Sequence, residues 1–284
     1  MAFVTHSYDN PDILDPTTRS RYEFHEVRSA CAIMKAVSPA EWQDIEEVLE
    51  DFSFSANLLL QSGGNNSNMA ETLNVALRDR GWRECAYQLQ THGKIEFRAA
   101  GVPDEDLGTM SEASYWVDNR KGRVLVDIEW NAKDGNLDRD LAAYRAWYEA
   151  GLIDAAMIIT KHREDLLSLA CKLWAPQFDV TAEDVYKATR TARKKRTERD
   201  KQLALPLDLT TTTVTSLDKA IDRINRGEAG TCPVVAIGIS GATWDGSPYS
   251  LSKRKRAGID RASPHHRNSL ASESASIRRF PPIA

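Results

Sequence analysis

The chain has 284 residues, a net charge of −4, 42% hydrophobic residues and 27% charged residues. That balance excludes whole-chain disorder and fits one large domain, with or without an extension. No apolar run approaches the roughly 20 residues that span a bilayer, the first residues lack the basic end and apolar stretch of a signal peptide, and four cysteines without a CxxC pair argue against a disulfide scaffold or a cysteine-built zinc site and fit a reducing cytoplasm. The modest net charge hides an uneven distribution. Residues 187–201 and 253–284 each hold eight Lys/Arg against two acids, which leaves the remainder strongly acidic. Such a division suits a soluble body that lays basic segments on a polyanion. Each run also reads as a solvated helix face or a polar tail.

Residues 20–60 read as helical. Ser38 is an expected N-cap, Pro39 takes the first helical position, and Trp42, Ile45, Val48, Leu49 and Phe52 recur at helical spacing. The turn cluster GGNNSN (63–68) leads into a second helix with Met69, Leu73, Ala76 and Leu77 inward and Gly81 at its C-cap. Residues 87–117 mix short strand-like pieces with a Pro-containing loop at 101–108. SEASYWVD, NRKG and RVLVDIEW then read as arm, turn and arm of a hairpin rich in β-branched and aromatic residues. A helix follows at 137–151, an apolar strand at 153–160, and a further helix before the basic run. Residues 203–216 read as an irregular connection, LDKAIDRINRG as a short helix and CPVVAIGIS as a buried strand. The expected organisation is one domain over 1–247 and a basic, poorly ordered tail over 248–284. Strands alternating with helices favour an α/β layer architecture with a mixed sheet.

The hairpin carries the chemistry. Asp127 and Glu129 are two apart on a strand and share a face, whereas Val126 and Ile128 face the other way. Like charges so placed destabilise unless a cation lies between them. The turn brings Asp118 back to about Leu125–Asp127, so three carboxylates converge at one end of a sheet. Hard oxygen ligands suit Mg2+, which takes one or two carboxylates together with phosphate oxygens and waters. A third carboxylate is then available to orient or deprotonate an attacking water. The same spacing also describes a solvated strand edge.

The pattern D-x8-D-x-E on a hairpin resembles the PD-(D/E)XK nuclease signature with an acid in place of the usual lysine. More narrowly, the GGNNSN-helix-GW block (63–82), the acid hairpin (114–130), DRDL (138–141), IDAAMIITK (153–161) and CPVVAIGI (232–239) occur in the order found in type II restriction endonucleases of the BglII/BstYI group. The resemblance covers roughly residues 40–245. It implies a central mixed β-sheet flanked by helices, a homodimer, Mg2+ as cofactor, and cleavage of palindromic double-stranded DNA, with a six-base site around a GATC-like core. It places Asp118 as the first metal-binding acid and Asp127 as the second, with the Ile128 carbonyl between them. Glu129 stands where PD-(D/E)XK enzymes usually have Lys and where this group tolerates Gln or Glu. A carboxylate there accepts a proton but cannot neutralise charge on phosphorus, which falls to the metal, Lys133 or a nearby Arg.

Asn131 and Lys133, just past the motif, and Arg139 in DRDL are implied DNA contacts; Asn suits bidentate bonding to adenine. They also read as a turn Asn, an exposed Lys and a local ion pair of Arg139 with Asp138 or Asp140. Lys161, His162 and Arg163 at a strand end read as loop function or surface polarity, and Glu84 or Glu71 as an added acid or a helix-surface residue. Trp130 and Trp244 read as packing, and Cys232 as inert core. The run at 187–201 and the KRKR of the tail suit phosphate contacts, which give affinity and salt dependence but no sequence choice. The expected activity is that of a site-specific deoxyribonuclease in a cytoplasmic restriction-modification system. The competing readings are a non-specific or structure-selective DNA nuclease of the same superfamily, a DNA-binding protein without catalysis, and a metal-binding or sugar-processing enzyme with paired acids.

Overall fold

Strands covered on both faces read as continuous apolar runs, because neither set of alternate side chains meets water. Three such runs form the centre of this fold. The computed structural model describes residues 3–60, 68–88, 90–111 and 115–250. Its strands are β1 (Val4–Thr5), β2 (Tyr22–Val27), β3 (Arg83–Tyr87), β4 (Gln90–Ile95), β5 (Glu105–Ser111), β6 (Tyr115–Lys121), β7 (Val124–Glu129), β8 (Ala155–Lys161) and β9 (Val234–Ile239). Seven of them make one sheet in the order β1-β2-β9-β8-β7-β6-β3, and β4 pairs with β5 in a separate two-stranded sheet. β7, β8 and β9 run parallel. β2 and β6 flank them antiparallel.

Helices cover both faces, as the mixed-sheet expectation required. On one face Leu137, Leu141, Tyr144 and Trp147 of helix Gly135–Glu149 pack with Leu217, Ala220 and Ile224 of helix Leu217–Arg226 onto Leu125, Ile158 and Ala236. On the other, helices Ala30–Val37, Pro39–Asp51, Asn68–Asp79 and Arg163–Trp174 pack onto Val124, Val126, Ile128, Met157 and Ile237. No helix among the described residues is long and apolar enough to cross a membrane.

Several local expectations are corrected. Residues 20–60 are not helical throughout, because Tyr22–Val27 forms β2 and pairs Phe24 with Ile237. Tyr22 and Phe24 are buried on alternate positions, and partnership with the distant β9 outweighs the helical pattern that follows. Ser38 stands at the N-cap of Pro39–Asp51, but its hydroxyl caps no amide. The hairpin turn is tighter than NRKG. Lys121 pairs with Val124, which leaves Gly122 and Arg123 as a two-residue loop, with Gly122 at φ +50 as such a turn demands. β5 begins at Glu105, inside the expected loop at 101–108. The connection at 203–216 contains the helix Leu207–Thr210. The helix at 137–151 runs over Gly135–Glu149. Gly81 ends Asn68–Asp79 as expected: at φ +92 it lets the Trp82 amide donate to the Leu77 carbonyl at 3.1 Å. Most of the GGNNSN cluster and residues 251–284 of the tail lie outside the described residues.

Trp82 links these layers to the site. Its ring is fully buried, and its indole N–H donates to Asp44 Oδ2 at 2.9 Å. The same oxygen accepts from Lys121 Nζ at 2.6 Å, on the arm that carries Asp118. Trp82→Ala is expected to cost about 3–5 kcal/mol; a urea midpoint equal to that of the wild type would refute this anchoring role.

Candidate active site

The ladder between β6 and β7 ends at the pair Asn119–Val126. Beyond it, side chains replace the backbone partners. The Asp118 amide donates to Asp127 Oδ1 at 2.7 Å, and the Ile128 amide donates to Asp118 Oδ2 at 3.2 Å. Each acid thus satisfies an amide on or beside the other's strand, and the two carboxylates are fixed across the open end of the hairpin. Asn119 steadies this point from behind, donating to Asn74 Oδ1 at 2.7 Å and to the Val126 carbonyl at 3.2 Å. Asp127 and Glu129 face helix Gly135–Glu149, as their spacing required, and Val126 and Ile128 face the opposite layer.

The strand is not a solvated edge. Asp127 is 3% exposed and Glu129 9%. A fourth acid, Asp140, is 4% exposed and joins them from the helix, and the Tyr144 hydroxyl donates to Asp127 Oδ2 at 2.5 Å. Glu129 Oε2 and Asp140 Oδ2 are buried without a hydrogen-bond partner. Burial first, and then repulsion from a neighbouring acid, raise all four carboxyls. Asp118 is raised by burial, with Glu84 adding to it, and Asp127 is raised well above the carboxylate range by burial and by Asp118. Glu129 reaches about 7 through burial and Asp127, and Asp140 about 8 through burial and Glu129. Among the described residues, no group of three or more His, Cys, Asp or Glu is already arranged to hold a metal ion. The arrangement instead offers one or two carboxylates at a time and two unsatisfied buried oxygens.

Cations are few around these acids. Arg139 is half-exposed and leans on Asp140 at 3.7 Å, the local ion pair that was one reading of DRDL. Its charge lowers the pKa of Asp118, Glu129 and Asp140. Asp138 pairs instead with Arg223. Asn131 Oδ1 accepts from Lys161 Nζ at 3.3 Å, and Lys133 is exposed at an isolated bridge to Val214. Lys161 is not surface polarity: it is fully buried, and its ammonium donates to the Trp130 carbonyl. Glu84 lies on β3 rather than on a helix and faces solvent, while Glu71 pairs with Arg78. Trp130 is buried, Trp244 packs against the core, and burial pushes the Cys232 thiol up, as expected of packing residues and an inert cysteine.

Sequence reasoning missed Asp140 and Tyr144. Their signal was weak: two residues at i and i+4 on an otherwise apolar face that packs on the acid strand.

The family model described as restriction endonuclease BglII/BglIII matches residues 22–239, a span that contains the whole hairpin and both flanking layers. The chain belongs to this family. It is a type II restriction endonuclease, a hydrolase, as the motif order implied. A comparison with curated proteins finds no match. The matched span contains Asp118, Asp127, Glu129 and Asp140, the acids gathered at the open end of the hairpin.

The raised carboxyls make the metal-free endonuclease sensitive to pH. Unfolded, Glu129 and Asp140 ionise in the ordinary carboxylate range; folded, they hold their protons to about 7 and about 8. The folded state therefore binds more protons across that window, and its stability falls as pH rises from about 4.5 to about 8. Thermal melts in a chelator should show this decline, and Asp140→Asn should flatten it. A wild-type Tm that climbs over the same window would contradict the burial of these acids.

Proposed function

We propose that this endonuclease is Mg2+-dependent and hydrolyses phosphodiester bonds at a palindromic site in double-stranded DNA, as the cytoplasmic restriction enzyme of a restriction-modification system. The observation that carries the reading is the crossed pair Asp118–Asp127 with Glu129 beside it, at the open end of the hairpin within the matched family span. The residues fit a divalent cation of this type. Buried acids that repel one another, with two orphaned oxygens, are stabilised by a cation. Mg2+ needs no cage of protein ligands, since it keeps waters and takes one or two carboxylates. Asp118 and Asp127, with the Ile128 carbonyl, would hold it. When bound, the ion supplies Lewis-acid stabilisation of charge on the phosphate.

The chain's own residues do the rest. Asp118 and Asp127 are pre-oriented by the amides they accept, so little reorganisation accompanies substrate binding. Glu129 presents an unpartnered oxygen on the same face and accepts the proton of the attacking water. Arg139, half-exposed beside the acids, is the nearest side chain suited to a phosphate or a base edge; Asn131 and Lys133, on the chain leaving β7, are the other DNA contacts. Two copies related by a two-fold axis would each cut one strand and make the site palindromic.

Purified protein incubated with a phage genome in Mg2+ should give discrete bands. A smear would mark a nuclease without site choice, and intact DNA with Mg2+ and with Mn2+ would refute the activity. Asp118→Asn and Asp127→Asn should each lower cleavage by roughly 100- to 10,000-fold while gel shifts on duplex DNA persist. Cleavage at the wild-type rate by either variant would remove these acids from the mechanism.

A further inference from the structure

Helix Gly135–Glu149 packs on β7 with a match of spacings. Asp140 and Tyr144 are four residues apart, a rise of about 6 Å on one helix face. Asp127 and Glu129 are two apart on a strand, about 6.6 Å on one sheet face. The helix can therefore set one partner on each acid. Asp140 lies against Glu129, carboxyl to carboxyl, and the Tyr144 hydroxyl donates to Asp127 Oδ2 at 2.5 Å. The Met157 carbonyl, the other acceptor near that hydroxyl, is farther away at 3.3 Å.

Tyr144 is fully buried in the layer formed with Leu137, Leu141 and Trp147. Its ring alone would serve that packing, and phenylalanine would fill the space without burying a hydroxyl that needs a partner. The hydroxyl instead completes the hold on Asp127. With the Asp118 amide on Oδ1 and Tyr144 on Oδ2, both oxygens of this carboxylate are tied, and the side chain cannot rotate about its final bond without breaking one of two hydrogen bonds.

We propose that Tyr144 is a positioning residue that acts through Asp127, holding the carboxylate in the orientation in which it binds a divalent cation. This inference rests on the reading of Asp127 as a metal-binding acid. A carboxylate that holds a cation is ionised, and a hydrogen bond to a charged group is among the stronger ones, so its loss should register on cation affinity as well as on rate. Packing by the ring predicts the opposite pattern: a change in stability with cation affinity and rate untouched.

The test compares the wild type with Tyr144→Phe and Asp127→Asn in the full chain, with Mn2+ as the probe, titrated by electron paramagnetic resonance in the absence of DNA. Tm and the separate kcat and KM on a mapped duplex site complete it. The expected result for Tyr144→Phe is a cooperative melt close to that of the wild type, Mn2+ affinity lowered at least about 10-fold, and kcat lowered by a similar factor with KM for DNA unchanged. Should Tyr144→Phe not fold, 4-aminophenylalanine and 4-methylphenylalanine at this position give a pair of similar size with and without a donor. The donor should keep Mn2+ affinity and the methyl should lose it. Equal Mn2+ affinity across either comparison, with Asp127→Asn still binding weakly, overturns the positioning role alone. A wild type that binds no Mn2+, or an Asp127→Asn variant that binds as the wild type does, overturns the metal reading and the positioning role with it.

Discussion

Everything at the active end of this protein depends on keeping like charges together out of water. Burial raises the proton affinity of Asp118, Asp127, Glu129 and Asp140, and a neighbouring acid adds to it in each case: Glu84 for Asp118, Asp118 for Asp127, Asp127 for Glu129 and Glu129 for Asp140. Such a cluster costs free energy, and the surrounding fold has to offset it. The offset comes from two apolar layers that bury the three central parallel strands on both faces.

The fold manages the acids by turning them into structural partners. Where the β6–β7 ladder ends, the Asp118 and Asp127 carboxylates take the amides that backbone carbonyls would have taken. Buried amides are thereby satisfied without continuing the sheet, and the carboxylates are fixed by the groups they serve. Within the acid cluster one oxygen of Glu129 and one of Asp140 remain without partners, and the neighbouring Asn119 Oδ1 is unpartnered too; other such atoms lie elsewhere in the fold, at Trp174 and Ser216 for example. The basic run at 187–201 belongs to another scale of the problem. Lys187, Arg190 and Lys201 are engaged by Glu183, Glu164 and Glu198, whereas Arg193, Lys194 and Lys195 form one exposed turn. An acidic body with a few outward cations stays soluble and still meets a polyanion.

The existence of the main elements was legible locally, even where their caps, turns and bounds were not. The hairpin, the helix from Pro39, the glycine stop at Gly81 and the buried runs of β8 and β9 depend on patterns a few residues long, and the chain displays them openly. The strand at Tyr22–Val27 was missed because its partner β9 lies some two hundred residues away, and a short half-buried strand beside a strong helix carries too little period of its own. Lys161 read as surface because lysine is seldom buried; only the carbonyl of Trp130 and the side chain of Asn131, from another strand's end, explain its place.

The sequence by itself determined the reaction class. D-x8-D-x-E on a hairpin puts three carboxylates on one face by strand geometry alone, and the order of motifs around it carries the family. Tertiary structure decided how those carboxylates are held and what completes them. Asp140 and Tyr144 look like ordinary helix residues until helix Gly135–Glu149 is laid on β7, when a helical spacing of four meets a strand spacing of two. That meeting is a matter of packing distance between elements, and no local pattern in a chain encodes it.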